Sequence, residues 1–200
     1  MKTQALFLGL VWTICSISAC NNSRTADNSV EQAQDVNDST ALVEVNDSDF
    51  AVEAADAGLA EIALGKLALE RASDPRIKEF AKTMVDQHNR ANDELMMIAT
   101  KKNLTLPPVP SADHAENVKE LQNKSGTDFD KEYIDRMVKD HDKVVSMFED
   151  AAEKASDPDI RDFAMKTLPT LKDHQETAKE LRDSLDGGQS ALEPDMKIVP

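Results

Sequence analysis

The amino-acid sequence predicts an all-α protein: a four-helix bundle with a short extra helix in the connection between its second and third long helices. Three observations carry this prediction. Four stretches place apolar residues at alternating steps of three and four, the spacing that keeps side chains on one helix face. Two Ser-Asp-Pro turns, at 73–75 and 156–158, divide these stretches into two helical hairpins, since Asp caps a helix and Pro suits its first position. Each apolar stripe is also broken once, near mid-helix, by a residue able to ligate a metal: Glu61, His88, His141 and His174.

Ahead of the bundle, residues 1–20 read as a bacterial lipoprotein signal. Lys2 supplies the charged start, and Ala5 to Ile14 form an apolar run too short to span a bilayer. The closing Ile17-Ser18-Ala19-Cys20 resembles a lipobox, which would make Cys20 the lipidated first residue and the membrane anchor. Residues 21–47, rich in Asn, Asp, Ser and Thr, are expected to be a disordered tether. Neither Asn21 nor Asn22 is the Asp that favours inner-membrane retention, so the expected address is the outer membrane, facing the periplasm. With Cys15 removed and Cys20 acylated, no disulfide is available and the core alone must hold the fold.

The elements then follow in order over residues 48–185. Asp47 or Ser48 caps the first long helix, which reaches Ala72. Asp74-Pro75 opens the second, which continues to Lys102. Leu106-Pro107-Pro108-Val109-Pro110 cannot be helical. A short amphipathic helix over Asp113 to Lys124 turns Ala115, Val118 and Leu121 inward and is closed by Gly126. Thr127 or Asp128 caps the third long helix, ending at Ala155, and Asp157-Pro158 opens the fourth, ending near Leu185. Gly187 and Gly188 are expected to stop it, leaving 186–200 as a flexible tail.

An internal repeat pairs Ala72–Ala81 with Ala155–Ala164. Glu61 and His88 flank Pro75 at nearly equal separations along the chain, and His141 and His174 flank Pro158 in the same way. Each pair is therefore level within its own hairpin. The two pairs can still be offset by about 5 Å, one helical turn.

Removing residues 1–19 deletes Lys2 and no acid, moving the net charge from −15 to −16. Such a surface attracts cations and repels nucleic acid, and no basic patch with aromatic partners offsets it. No nucleophile elbow, zinc-protease motif, phosphate-binding Gly loop or CxxC occurs.

Three neutral imidazoles and one carboxylate suit a mononuclear site for Zn, Fe, Mn, Ni or Cu. A di-iron site needs a Glu three positions before a ligating His on two helices, yet Val85, Val138 and Leu171 stand there. A second reading makes the same residues a non-catalytic polar layer that fixes bundle register in a structural or interaction protein. A third makes them a redox centre for peroxide or oxygen chemistry, which needs an open coordination position. Weaker candidates support the ligands from behind: Met84 and Met137 one turn before His88 and His141, and Asp140 and Asp173 just before His141 and His174. His114 is expected to be exposed on the connector.

The matching stretches Glu61–Ala68, Phe80–His88, Phe129–Ile134, Met137–His141 and Leu168-Pro169 with His174 resemble one bacterial exported family, the ferritin-like domain of unknown function 4142. The resemblance covers residues 48–185 and implies a ferritin-like bundle with a crossover between the second and third long helices. It implies no settled activity. Residues 103–128 are long enough to cross a bundle of about 40 Å, which agrees with that order.

Overall fold

A computed structural model describes residues 29–190; the expected signal, Cys20 and residues 191–200 lie outside them. The described residues form six helices and no strand: α1 (Ser29–Thr40), α2 (Val45–Arg71), α3 (Pro75–Lys102), α4 (Ala112–Gln122), α5 (Gly126–Lys154) and α6 (Pro158–Ser190). No helix among them is long and apolar enough to cross a membrane. The four long helices bury their apolar stripes against one another, α2 on α3 and α5, and α6 on α3 and α5.

Two buried aspartates set the directions of these helices. Asp130, near the start of α5, accepts from the backbone N–H of Ser73 and of Asp74 (both 2.9 Å) and from the Ser73 hydroxyl. Asp47, near the start of α2, accepts from the N–H of Ser156 (3.2 Å) and Asp157 (2.6 Å). Each hairpin turn is thus clasped by the other hairpin. The clasping aspartates are separated along the chain by the same interval as the turns they hold, so the clasps belong to the internal repeat. The two turns therefore lie at opposite ends of the molecule. At the end of α3, Lys102 reaches Asp157 and Asp159 at 2.5 and 2.6 Å. Helices α3 and α5 then run parallel, and residues 103–125 must travel the length of the molecule between them.

Small residues set the closest helix approach. A Cβ on Gly65 would come within 2.7 Å of Val85 and 3.2 Å of the Ala81 carbonyl, so this glycine lets α2 lie directly on α3.

The segment expected to be a disordered tether carries α1 instead. Its Asn37 side chain donates to the Thr105 carbonyl (3.0 Å) and accepts from the Thr105 N–H (2.7 Å), mimicking a strand edge. Asn103 ends α3 in the left-handed conformation and donates to the Thr40 carbonyl at 2.7 Å. The proline-rich run cannot pair with itself, so its free backbone groups recruit this polar helix. Two further boundaries differ. Helix α6 continues through Gly187 and Gly188 to Ser190. Helix α5 starts at Gly126 behind Ser125, rather than behind Thr127 or Asp128.

Candidate metal centre

The apolar interior is split into two clusters. One gathers Phe50, Phe148 and Phe163; the other gathers Phe80, Phe129 and Tyr133. Along every long helix the apolar stripe passes from one cluster to the other, and the polar residue falls at the crossing. Glu61, His88, His141 and His174 therefore form one layer, each at most 5% exposed.

The one-turn offset between the pairs does not occur. Asp130 clasps Ser73, so α2 and α5 share an end there. Glu61 precedes Ser73 by almost the same stretch of chain as His141 follows Asp130. Helical rise is constant along each helix, so nearly equal counts from a shared end put the two residues level. Glu61 Oε2 lies 2.8 Å from His88 Nε2, and Glu61 Oε1 lies 3.3 Å from His141 Nδ1. One ring nitrogen from each of the three histidines lies within 4.8 Å of the others.

The outer contacts of the imidazoles fix which nitrogens carry protons. His141 Nδ1 faces the Met137 carbonyl at 2.9 Å as well as the Glu61 carboxylate, so it carries the N–H and donates. His174 Nε2 donates to Gln87 Oε1 at 2.5 Å. With both rings neutral, the remaining nitrogens, His141 Nε2 and His174 Nδ1, are the ones left with lone pairs, and they lie 3.4 Å apart. Two imidazole nitrogens on one tetrahedral ion are also about 3.4 Å apart, given metal–nitrogen bonds of roughly 2.1 Å. Neither Glu61 oxygen nor His88 Nε2 has an aligned hydrogen bond among the described residues. That leaves buried acceptors aimed inward, a costly arrangement without a cation or proton among them.

Burial and mutual charge shift two members of the layer. Burial alone would raise the Glu61 carboxyl, but the imidazoles of His141, His88 and His174 outweigh it and hold the group down at about 2. Burial, then the neighbouring His88 and His141, push His174 down to about 3, with Glu61 opposing. At neutral pH the layer thus holds an anionic carboxylate and a neutral His174 imidazole. Burial and then the charge of Glu61 push the enclosed Tyr133 hydroxyl above its ordinary value.

The weaker candidates divide. The thioethers of Met84 and Met137 are buried in the Phe80 cluster beside the layer, and Met137 serves His141 through its backbone carbonyl. Asp173 is exposed, on the rim of a cavity of about 450 Å³ between α3 and α6 that reaches Gln87 and His174. Asp140 is half-buried, its carboxyl raised by burial and by Glu61, and it lines a second cavity that reaches Glu61 from the opposite side. His114 is not free on the surface: its side chain is 30% exposed and lies 3.1 Å from Asp56. Gln87 was not legible as a partner. It directly precedes His88, yet it serves the histidine of another helix.

Residues 31–181 match the model of a family described as "Domain of unknown function (DUF4142)". No curated protein and no solved structure matches the chain. The matched span begins inside α1, ends inside α6 and contains the whole Glu/His layer, and the chain belongs to this family of unknown function.

Proposed function

We propose that the protein holds one divalent transition metal in its Glu61/His88/His141/His174 layer, inside a ferritin-like four-helix bundle tethered to the cell envelope through Cys20. The observation that carries the reading is the 3.4 Å approach of His141 Nε2 and His174 Nδ1, with the other ring nitrogens against the Met137 carbonyl and Gln87 Oε1. Ligating histidines characteristically donate their second N–H to a carbonyl or carboxylate in this way. The donor set of imidazoles and one carboxylate suits Zn, Fe, Mn, Ni or Cu. The parallel α3 and α5 with a full-length crossover support the ferritin-like order. The three imidazoles lie close enough to share one ion, and Glu61, 2.8 Å from His88 Nε2, is the candidate fourth ligand; a shell closed in that way would suit a structural, storage or sensing site better than a catalytic one.

The test uses the chain from residue 20 onward with Cys20→Ser and no His tag. Elemental mass spectrometry is expected to find close to one metal per chain, and none in His88→Ala/His141→Ala. Absence of metal after reconstitution with Zn, Mn, Fe and Cu would overturn the site. One observation favours a second reading: Glu61, His88, His141, His174 and Gln87 touch in an unbroken series joining all four long helices at one height. In that case the layer sets register, and replacing the three histidines with Leu leaves stability unchanged or higher. Anchoring is tested separately, by mass spectrometry of membrane fractions for an acylated Cys20.

A further inference from the structure

The crossover does more than return the chain to the start of α5. Its helix α4 lies over α2, with Leu121 in the core and Asp56 tying its start: Asp56 accepts from the Ser111 N–H at 2.6 Å and pairs with His114 at 3.1 Å. Beneath α4 is a cavity of about 280 Å³ lined by Glu53, Asp56, Glu61, His114, Asp140 and Lys143. Its mouth carries Glu53, which is exposed, and its floor includes Glu61, which is 2% exposed. Among the described residues neither oxygen of that buried carboxylate has an aligned hydrogen bond, although Oε2 lies 2.8 Å from His88 Nε2. The cavity thus leads from solvent to the one anionic group of the polar layer.

Charge runs one way along it. Four carboxylates face two basic side chains, and His114 is already committed to Asp56. The cavity on the opposite side, between α3 and α6, is lined by His174 and Gln87 and carries two carboxylates, Glu79 and Asp173, beside Arg76, against four in the cavity under α4. A low-dielectric cleft of one sign concentrates counter-ions and raises their association rate.

We infer that the cavity under α4 is the route by which a divalent cation reaches the layer, with Glu53 and Asp140 drawing it in and Glu61 receiving it. This rests on the metal-binding reading above. The route requires a cation to exchange water for carboxylate oxygens one at a time, which a chain of acids from surface to core permits. It also assigns a role to the crossover: α4 roofs the path, and the Asp56–His114 pair keeps the roof in place.

The experiment follows Co²⁺ uptake by the metal-free mature chain in a stopped-flow spectrometer, reading the visible absorption of the bound ion. Two single-charge variants are compared, Glu53→Gln at this mouth and Glu79→Gln at the opposite one. Glu53→Gln is expected to slow uptake roughly threefold to tenfold while still reaching the parent's final absorbance, and Glu53→Gln/Asp140→Asn to slow it further. Uptake by the parent should slow as salt is raised, and less so in the double variant. Equal rates for Glu53→Gln and the parent would overturn the route while leaving the metal site standing. Slowing by Glu79→Gln instead would place the route on the other side. No Co²⁺ bound by the parent would overturn both the site and its route.

Discussion

At the scale of single residues, the layer shows how a buried polar group is tolerated by what stands behind it. Burial and the neighbouring imidazoles keep His174 neutral, and Gln87 Oε1 orients it by accepting its Nε2 proton. Gln87→Leu should therefore weaken metal affinity about 10- to 100-fold without changing ligand number, measurable by competition with a chromophoric chelator. His114 offers a test with a sign. Its hydrogen bond to Asp56 outweighs burial and raises it above 6.5, while Asp56, despite its own burial, is held below 3.8 by His114 and the Ser111 N–H. A raised base stabilises fully below its unfolded value and stops doing so as pH climbs through its folded one; a lowered acid does the reverse. Protection of residues 112–122 in hydrogen exchange, corrected for intrinsic rate, should thus peak between about pH 4 and 6.5. It should fall on either side, and His114→Ala should flatten the alkaline decline.

At the scale of elements, the two hairpins hold each other by their turns. Asp130 is 1% exposed and takes three donors, whereas Asp47 takes two. Removing a buried acceptor strands its donors, so Asp130→Ala should cost about 2–4 kcal/mol and Asp47→Ala about 1–3 kcal/mol. Urea unfolding followed by circular dichroism would rank them, and the reverse order would count against the clasp account. Both aspartates were visible in the sequence, but Asp47 looked like a cap for its own helix. Helix α2 in fact begins at Val45, behind Glu44, and Asp47 turns to the other hairpin. Local pattern cannot distinguish a carboxylate that serves its own helix from one that serves a neighbour. The same limit hid α1. Its composition, Ser-Val-Glu-Gln-Ala-Gln-Asp-Val-Asn-Asp-Ser-Thr, has little to bury beyond Ala33, and its hold on the fold is largely polar, through Ser29, Asn37 and Thr40 bonding to Val109, Thr105 and Asn103, far along the chain.

At the scale of the whole molecule, metal binding should appear as folding stability, because His88, His141 and His174 come from α3, α5 and α6 and converge only in the native state. A metal at 100 times its dissociation constant adds about 2.7 kcal/mol, worth roughly 5–11 °C in Tm for a chain of this size. Differential scanning calorimetry with and without chelator would show it, and His88→Ala/His141→Ala should abolish the difference. The helix class, the boundaries of α3, the two hairpins and the identity of the four layer residues were all legible, because amphipathic spacing, Asp-Pro starts and interrupted stripes are local signals carried by each helix alone. The height at which the hairpins meet was not, since it depends on which end each turn occupies. Only the tertiary structure decided that, by placing Asp130 on Ser73 and Asp47 on Asp157. It likewise decided that Gln87, the Met137 carbonyl and Asp56 attend the layer and its cavity. Those partners meet through space rather than along the chain, and periodicity carries no information about which neighbour a side chain will face.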